Sequence, residues 1–244
     1  MDYTKLDLLS YNTLKVLCQE MELPIGKSKS SLINMVTEAF QEYEEYKTNK
    51  IDKYTIKEQL GNKGKEGTTY LVTTHDGTIF AMKTFRRTKS SSKLKDEVRM
   101  QHLASKHDIS PFIVDKDVVS KYIVMEKMDT HLVDIIEKQN GILTPSQQKR
   151  IINIYKTLDN IGIFHADANL MNYMIKNRKI YIIDFGMAKL IDEKLIKKLG
   201  TSTPNLHIMT LGLILKLKEC KCPSKSYEHL KKYLPTEQKT QFQI

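Results

Sequence analysis

At 244 residues, with 40% hydrophobic and 28% charged residues and a net charge of +10, the chain has room for one or two domains and for a real core in the larger. Cys18, Cys220 and Cys222 make no disulfide framework, and Cys220-Lys-Cys222 lacks the partner pair a zinc site needs. No charged-then-apolar leader opens the chain and no apolar run approaches the ~20 residues of a membrane span, so a secretory or membrane-spanning class is not expected and an intracellular, reducing setting is.

In the first 50 residues, Leu6, Leu9, Leu14, Leu17 and Met21 recur at near-helical intervals, Leu23-Pro-Ile-Gly26 breaks the pattern, and Leu32, Ile33, Val36 and Phe40 resume it. Two short amphipathic helices are expected. The run Leu14-Lys-Val-Leu17-Cys-Gln-Glu-Met-Glu-Leu23-Pro24, followed by Lys29-Ser-Ser-Leu32-Ile33, resembles the SAP domain, a small all-α helix-extended-helix module; its usual glycine is displaced to Gly26. The resemblance implies DNA binding near the second helix, through Lys27 and Lys29. A protein-contact helical hairpin is the alternative. The segment is not basic overall: residues 1–50 hold six lysines against eight acids. Charged residues from Glu42 to Lys53 place a linker at 47–52, or a continuation of the second helix.

Next, Leu60-Gly61-Asn-Lys-Gly64-Lys-Glu-Gly67-Thr-Thr69-Tyr-Leu-Val72 reads as a strand, a glycine-rich turn and a returning strand, where backbone amides can approach phosphates unobstructed. Thr78-Ile-Phe-Ala81-Met-Lys83 is a β-rich strand carrying one lysine. A helix over about Leu94 to Ser105 offers Glu97 as a partner for Lys83, or as a solvated charge. Between strand and helix, Lys83 to Lys95 holds six Lys or Arg and no acid, to be read as a solvated loop or as a phosphate-contacting patch. Tyr122-Ile-Val-Met125-Glu126-Lys-Met128 is an apolar strand that turns abruptly polar.

His165-Ala-Asp167 with Asn172, then Ile180-Tyr-Ile-Ile183 running into Asp184-Phe-Gly186, supply the order and spacing that magnesium-dependent transfer of a phosphoryl group from ATP requires. Asp167 can orient an acceptor hydroxyl. Asn172 and Asp184 can hold the magnesium ion.

Residues from about 53 to 215 thus resemble the eukaryotic protein-kinase superfamily. The resemblance implies an α+β, bilobal fold with a five-stranded sheet in the first lobe. It implies catalytic roles for Lys83 and Asp167, and an ATP site drawn from Gly61, Gly64, Gly67, Thr69, Ala81, Lys83, Glu97, Met125, Glu126, Met128 and Met174. Met125 stands at the gatekeeper position, the backbone of Glu126 and Met128 at the adenine edge, and Ala81 and Met174 on either side of the ring. Methionine at these places is also ordinary core. Three departures matter. Ala166 replaces the arginine that reads a phosphorylated activation loop, so control by such phosphorylation is not expected. Asn169 replaces a lysine that touches the γ-phosphate in serine/threonine kinases. The His-Ala-Asp form resembles the compact RIO-type kinases, which lack the Phe-Gly found here.

After Gly186 no Ala-Pro-Glu sequence follows, so a reduced, truncated C-lobe is expected. His207-Ile-Met-Thr-Leu-Gly212 resembles its central helix, whose first position is normally an aspartate bracing the catalytic loop; His207 there implies a weakened brace. A small helix over Tyr227–Tyr233 and a polar tail from Pro235 complete the expectation. The organisation is a SAP-like module at 1–46, a linker at 47–52 and a minimal kinase domain at 53–244, a combination that resembles kinase-like proteins of large DNA viruses. It implies a protein serine or threonine substrate, DNA as a second partner through residues 1–46, and a nuclear or viral replication compartment. A small-molecule phosphotransferase and a nucleotide-binding pseudokinase scaffold are the rival readings.

Overall fold

The computed structural model describes residues 3–21, 23–51, 53–61, 64 and 66–242. Asn62, Lys63 and Lys65 of the glycine-rich stretch, and Asp52 of the expected linker, lie outside the described residues. The chain divides into two compact units, one reaching Ile56 and including Thr73–Thr78, the other comprising Lys57–Val72 and Ile79 onward.

In the first unit a 3-10 turn (Tyr3–Leu8) precedes α1 (Tyr11–Glu20) and α2 (Lys29–Ile51). Each helix begins where a serine satisfies an orphan amide: Ser10 Oγ accepts from Thr13 N (3.1 Å) and Ser28 Oγ from Ser31 N (3.1 Å). The apolar spacing read from the sequence meets in one cluster, with Leu6, Leu14, Cys18, Leu32 and Val36 buried and Leu9, Leu17, Met21, Ile33 and Phe40 packed around them. Cys18 is therefore core, and burial pushes its thiol pKa up. The helix α2 runs to Ile51, so residues 47–51 of the expected linker take the form of a continuation of the second helix.

In the second unit, apart from the end residues Thr55, Ile56 and Thr73, β1 (Thr55–Leu60), β2 (Gly67–Thr73), β3 (Ile79–Phe85), α3 (Ser91–Lys106), β4 (Ile113–Asp117) and β5 (Tyr122–Glu126) form a five-stranded sheet in the order β1-β2-β3-β5-β4 with one helix packed on it. The β3–β5 pairing is antiparallel and sets Ala81 opposite Met125 and Lys83 opposite Ile123. After it come β6 (Thr130–His131), α4 (Leu132–Lys138), α5 (Pro145–Asn160), β7 (Ile163–Phe164), β8 (Tyr173–Lys176), β9 (Lys179–Ile182), β10 (Lys189–Leu190), α6 (Glu193–Leu199), α7 (Thr210–Glu219) and α8 (Thr236–Gln241). A continuous core of Ile151, Ile154, Tyr155, Leu158, Leu213, Ile214 and Leu217 holds α5 against α7. Fully burying such side chains is worth about 1.5–3 kcal/mol each, which fixes this helical half as the platform for the loop that follows β7.

The C-terminal expectation needs correction. Ser224–Ser226 and Leu230–Tyr233 are 3-10 turns rather than one helix, and the segment after Pro235 forms α8 rather than a tail. Leu230 and Leu234 are buried and pin the chain, while Pro235 sets the backbone for a helix start. Ser226 Oγ donates to Gly141 O (2.9 Å) and accepts from Leu143 N (3.2 Å), tying these turns to the loop before α5.

Candidate active site

Residues two apart on a strand share a face, so β3 presents Ala81 and Lys83 together. The helix that follows starts on the Ser90 cap and brings Glu97 inward two turns later, with its side chain 1% exposed. Lys83 Nζ lies 2.9 Å from Glu97 Oε1 and 2.9 Å from Asp184 Oδ1. Burial alone would lower the Lys83 pKa; the Glu97 and Asp184 carboxylates outweigh it and hold the ammonium above its ordinary value. For Asp184 burial acts upward and Lys83 downward, and the lysine wins.

Asp184 sits just past β9 in the left-handed region, at φ 66°, and Gly186 N donates to its Oδ1 (3.4 Å). Such a backbone costs ~1–3 kcal/mol for a residue other than glycine. It is held from below. Phe185 is buried edge-on against His165, ring centroids 5.0 Å apart, and His165 Nε2 donates to Ile183 O (3.0 Å). Burial lowers the His165 pKa, so the ring is neutral at pH 7 with its proton on Nε2.

These groups border a cavity of about 390 Å³ lined by Leu60, Gly61, Thr69, Ala81, Lys83, Gln101, Met125, Glu126, Met128, Asp134, Met174, Ile183 and Asp184. Nine of the residues expected from the sequence therefore share one cavity. Glu97 stands behind it, through Lys83. Gly64 and Gly67 do not line it. A Cβ at Gly67 would come within 1.9 Å of Thr84 O, so glycine there lets β2 cross β3. The Glu126 N–H donates to Phe112 O (3.1 Å). Gln101 was not expected at the cavity: four residues after Glu97, on the same face of α3, it donates through Nε2 to Pro111 O (3.2 Å) and reaches Met125 Sδ (3.6 Å). That i, i+4 spacing was the available signal.

Asp167 and Asn172 lie on the loop below. Asn169 N donates to Asp167 Oδ1 (3.1 Å), Asn172 Nδ2 donates to Asp167 O (3.4 Å), and Ile183 N donates to Asn172 O (2.9 Å). The last bond joins the catalytic loop directly to the strand end that carries Asp184. Ala166 also has a positive φ, 64°, as the loop turns.

The expected weak brace at His207 is corrected by the structure. Asn205, two residues earlier, makes it: Oδ1 accepts from His165 N (3.0 Å), while Nδ2 donates to Ile163 O (2.7 Å) and to Asp159 Oδ1 (2.7 Å). Asp159 also accepts from the backbone amides of Asn205 and Leu206, both at 3.0 Å. Burial raises the Asp159 pKa in spite of these donors. His207 instead bonds Thr201 Oγ1 through Nδ1 (2.8 Å). A π-helical turn, Asn205–Met209, leads into α7, and Gly212 lets that helix approach the loop, since a Cβ there would meet Ala168 Cβ at 2.7 Å.

Carboxylate and side-chain amide oxygens are the hard donors magnesium prefers, and Asp184 with Asn172 supplies both kinds. The Asp184 side chain is 41% exposed and lines the cavity, and Asn172 spends its amide nitrogen on Asp167, leaving its oxygen. The donor set fits. Glu66, Glu97 and Asp184 also bring carboxylate oxygens within 4.8 Å of one another, but Lys83 and Lys89 lie between them as counter-ions.

This is the arrangement of a nucleotide-dependent phosphotransferase of the protein-kinase type. Residues 54–205 match the family described as the protein kinase domain, and the chain belongs to that family. It is 29% identical over 167 residues to the probable serine/threonine-protein kinase PLK of Dictyostelium discoideum, covering 64% of this chain and 17% of that protein. It is 28% identical over 110 residues to an uncharacterized protein in the hydrogenase 1 5' region of Clostridium pasteurianum, covering 44% of this chain and 19% of that one. The chain thus spans less than a fifth of the length of either relative. Among the described residues no helix is long and apolar enough to cross a membrane.

Proposed function

We propose that the chain transfers the γ-phosphoryl group of ATP to a serine or threonine hydroxyl of a protein. The observation that carries this is the ion-paired set of Lys83, Asp184 and, behind them, Glu97, with Lys83 and Asp184 lining a cavity that residues Met125, Glu126 and Met128 also line. The cavity's apolar lining suits a purine, with Ala81 and Met174 on its two faces. Lys83, fixed by Glu97, positions the phosphates, and Asp167 orients the acceptor hydroxyl and takes its proton late in transfer. Magnesium, held by Asp184 and Asn172, would supply charge neutralisation between the phosphate oxygens. The probable serine/threonine kinase among the relatives supports the choice of acceptor.

The first unit is proposed to be a SAP-like tether that raises the local concentration of the kinase domain near DNA-bound substrates. Lys27 carries this reading further than Lys29, whose Nζ donates to Asp7 O (2.8 Å) within the hairpin. The deciding experiment is labelled-ATP transfer by purified protein, wild type beside Asp167→Ala, with protein and small-molecule acceptors. Label on protein that depends on Asp167 supports the reading. Label on small molecules alone moves it to a small-molecule phosphotransferase, and nucleotide binding without transfer to a scaffold.

A further inference from the structure

Of the six basic residues between Lys83 and Lys95, Arg86, Arg87, Lys93 and Lys95 are exposed, as a solvated loop requires. Lys89 is different: its side chain is 8% exposed and its Nζ sits between Glu97 Oε2 and Glu66 Oε2, the latter at 2.6 Å. We infer that Lys89 is a second positioning residue for Glu97, and that through Glu66 it ties the glycine-rich loop to the same carboxylate. The inference rests on the phosphoryl-transfer reading of this site.

Glu97 has two carboxylate oxygens and almost no water. Lys83 takes Oε1 but divides its charge between Glu97 and Asp184, and a bound nucleotide would draw it further away. Lys89 takes Oε2 and has no competing role at the cavity, so Glu97 keeps its orientation while Lys83 engages phosphate. A buried carboxylate held by one shared cation would be free to turn; held by two, it is not.

The fold prepares Lys89 for this. Its backbone N donates to Arg86 O (3.0 Å), and its carbonyl accepts from Lys121 Nζ (2.8 Å), which also reaches Arg87 O. Ser90, the next residue, caps α3, so the turn that fixes Lys89 also fixes the start of the helix carrying Glu97. The ammonium lies 4.5 Å from the centroid of the Phe85 ring, which Lys83 approaches at 4.9 Å. On the other side, Glu66 O accepts from Arg86 N (2.9 Å), and its carboxylate lies over Gly186, where an added Cβ would come within 2.7 Å of Oε2. Glu66, Lys89, Glu97, Lys83 and Asp184 thus alternate in sign from the glycine-rich loop to the Asp-Phe-Gly segment.

The test uses the full chain with Lys89→Met, Lys89→Arg and Glu97→Gln, alone and combined. Steady-state phosphoryl transfer, Mg-ADP affinity by titration calorimetry and urea unfolding are measured on each. Lys89→Met should lower kcat/KM by about ten- to hundredfold, the size of loss that misplacement near the chemistry produces, with the larger part in kcat. Lys89→Arg should recover most of it. In the Glu97→Gln background the same change should cost less than about threefold, because coupled residues are not additive. A Lys89→Met rate within twofold of wild type, or an equal loss with and without Glu97, overturns the inference. So does a loss matched by unfolding at the assay temperature. If the wild type transfers no phosphate to any acceptor, the phosphoryl-transfer reading falls by itself. Lys89 is then judged on Mg-ADP affinity: a drop with Lys89→Met that disappears in the Glu97→Gln background upholds it, and unchanged affinity refutes it.

Discussion

Replacing Asn205 with alanine removes the side chain that accepts from the backbone amide of His165, and the loss can be sized from its contacts. Asn205 is fully buried and makes three side-chain hydrogen bonds, at 3.0 Å to His165 N, 2.7 Å to Ile163 O and 2.7 Å to Asp159 Oδ1. Truncation strands a buried N–H and a buried carbonyl and strips one donor from Asp159. At roughly 1–3 kcal/mol for each of the two abandoned buried groups, the cost is about 2–6 kcal/mol, a large share of the ~5–15 kcal/mol that holds a domain together. With urea m-values near ~3 kcal/mol/M for a chain of this size, the unfolding midpoint should fall by about 1 M or more. Asn205→Asp separates the brace from mere packing. It keeps the acceptor for His165 N but sets a second carboxylate oxygen where Nδ2 lay 2.7 Å from Asp159. Like charges raise the pKa of the pair above its unfolded value, so this variant should be least stable at pH 7 and recover as pH falls toward 5. Adding Asp159→Asn to it should restore part of the loss at pH 7. An Asn205→Ala midpoint indistinguishable from wild type, or an Asn205→Asp variant with no pH dependence of its own, would refute the assignment of the brace.

Asp184→Ala should weaken Mg-ATP binding and turnover together, whereas Asp167→Ala should still bind Mg-ATP but lose about two decades in rate; full activity of Asp167→Ala in the transfer assay would sink the catalytic assignment. Activity should survive phosphatase treatment of protein made without co-expressed kinases, because Ala166 cannot form the bidentate phosphate contact an arginine makes, and a collapse of rate after treatment would count against it. His165 is buried neutral with a depressed pKa, so its stabilising contribution is complete above the unfolded value near ~6.5 and is lost as pH falls; between pH 7 and 5 the urea midpoint of wild type should drop more than that of His165→Gln, and parallel drops would contradict the reading. Lys27→Glu in the full chain should weaken duplex DNA retention and reduce the salt slope of log Kobs by about 0.9 or more for the lost phosphate contact; unchanged binding in a salt titration would leave the first unit better read as a protein-docking hairpin.

Where a function is set by residue type at fixed spacing, the sequence was readable. Lys83 on a β-rich strand, Glu97 on the helix after it and Asp184 at a strand end meet within 2.9 Å, because strand alternation and helix periodicity leave them few other places to go. The first unit's core was readable for the same reason, since Leu14, Cys18, Leu32 and Val36 fall on helical repeats. What escaped were roles created by long-range contact. Asn205 lies in a run, Pro204-Asn-Leu-His, with no periodic or charged signal, and its bracing role comes from hydrogen bonds to His165 and Asp159, 40 and 46 residues away in sequence. Lys89 looked like one of six interchangeable basic residues until the turn before α3 buried it.

These two misses bear on the same question, how a loop with alanine at position 166 is kept in order. A regulated loop has an external clamp, an arginine that waits for a phosphate. Here the loop that carries Asp167 is held from beneath by Asn205 and Asp159, and the Lys83–Glu97 pair is held from behind by Lys89, by contacts between the chain's own side chains. Each device centres on a buried polar residue, Asn205 in one and Glu97 in the other, whose partners come from the chain itself. A site built this way has little need of a switch within the activation segment, and control of the reaction would then fall to whatever brings substrate and kinase domain together, which is the role proposed for the first unit.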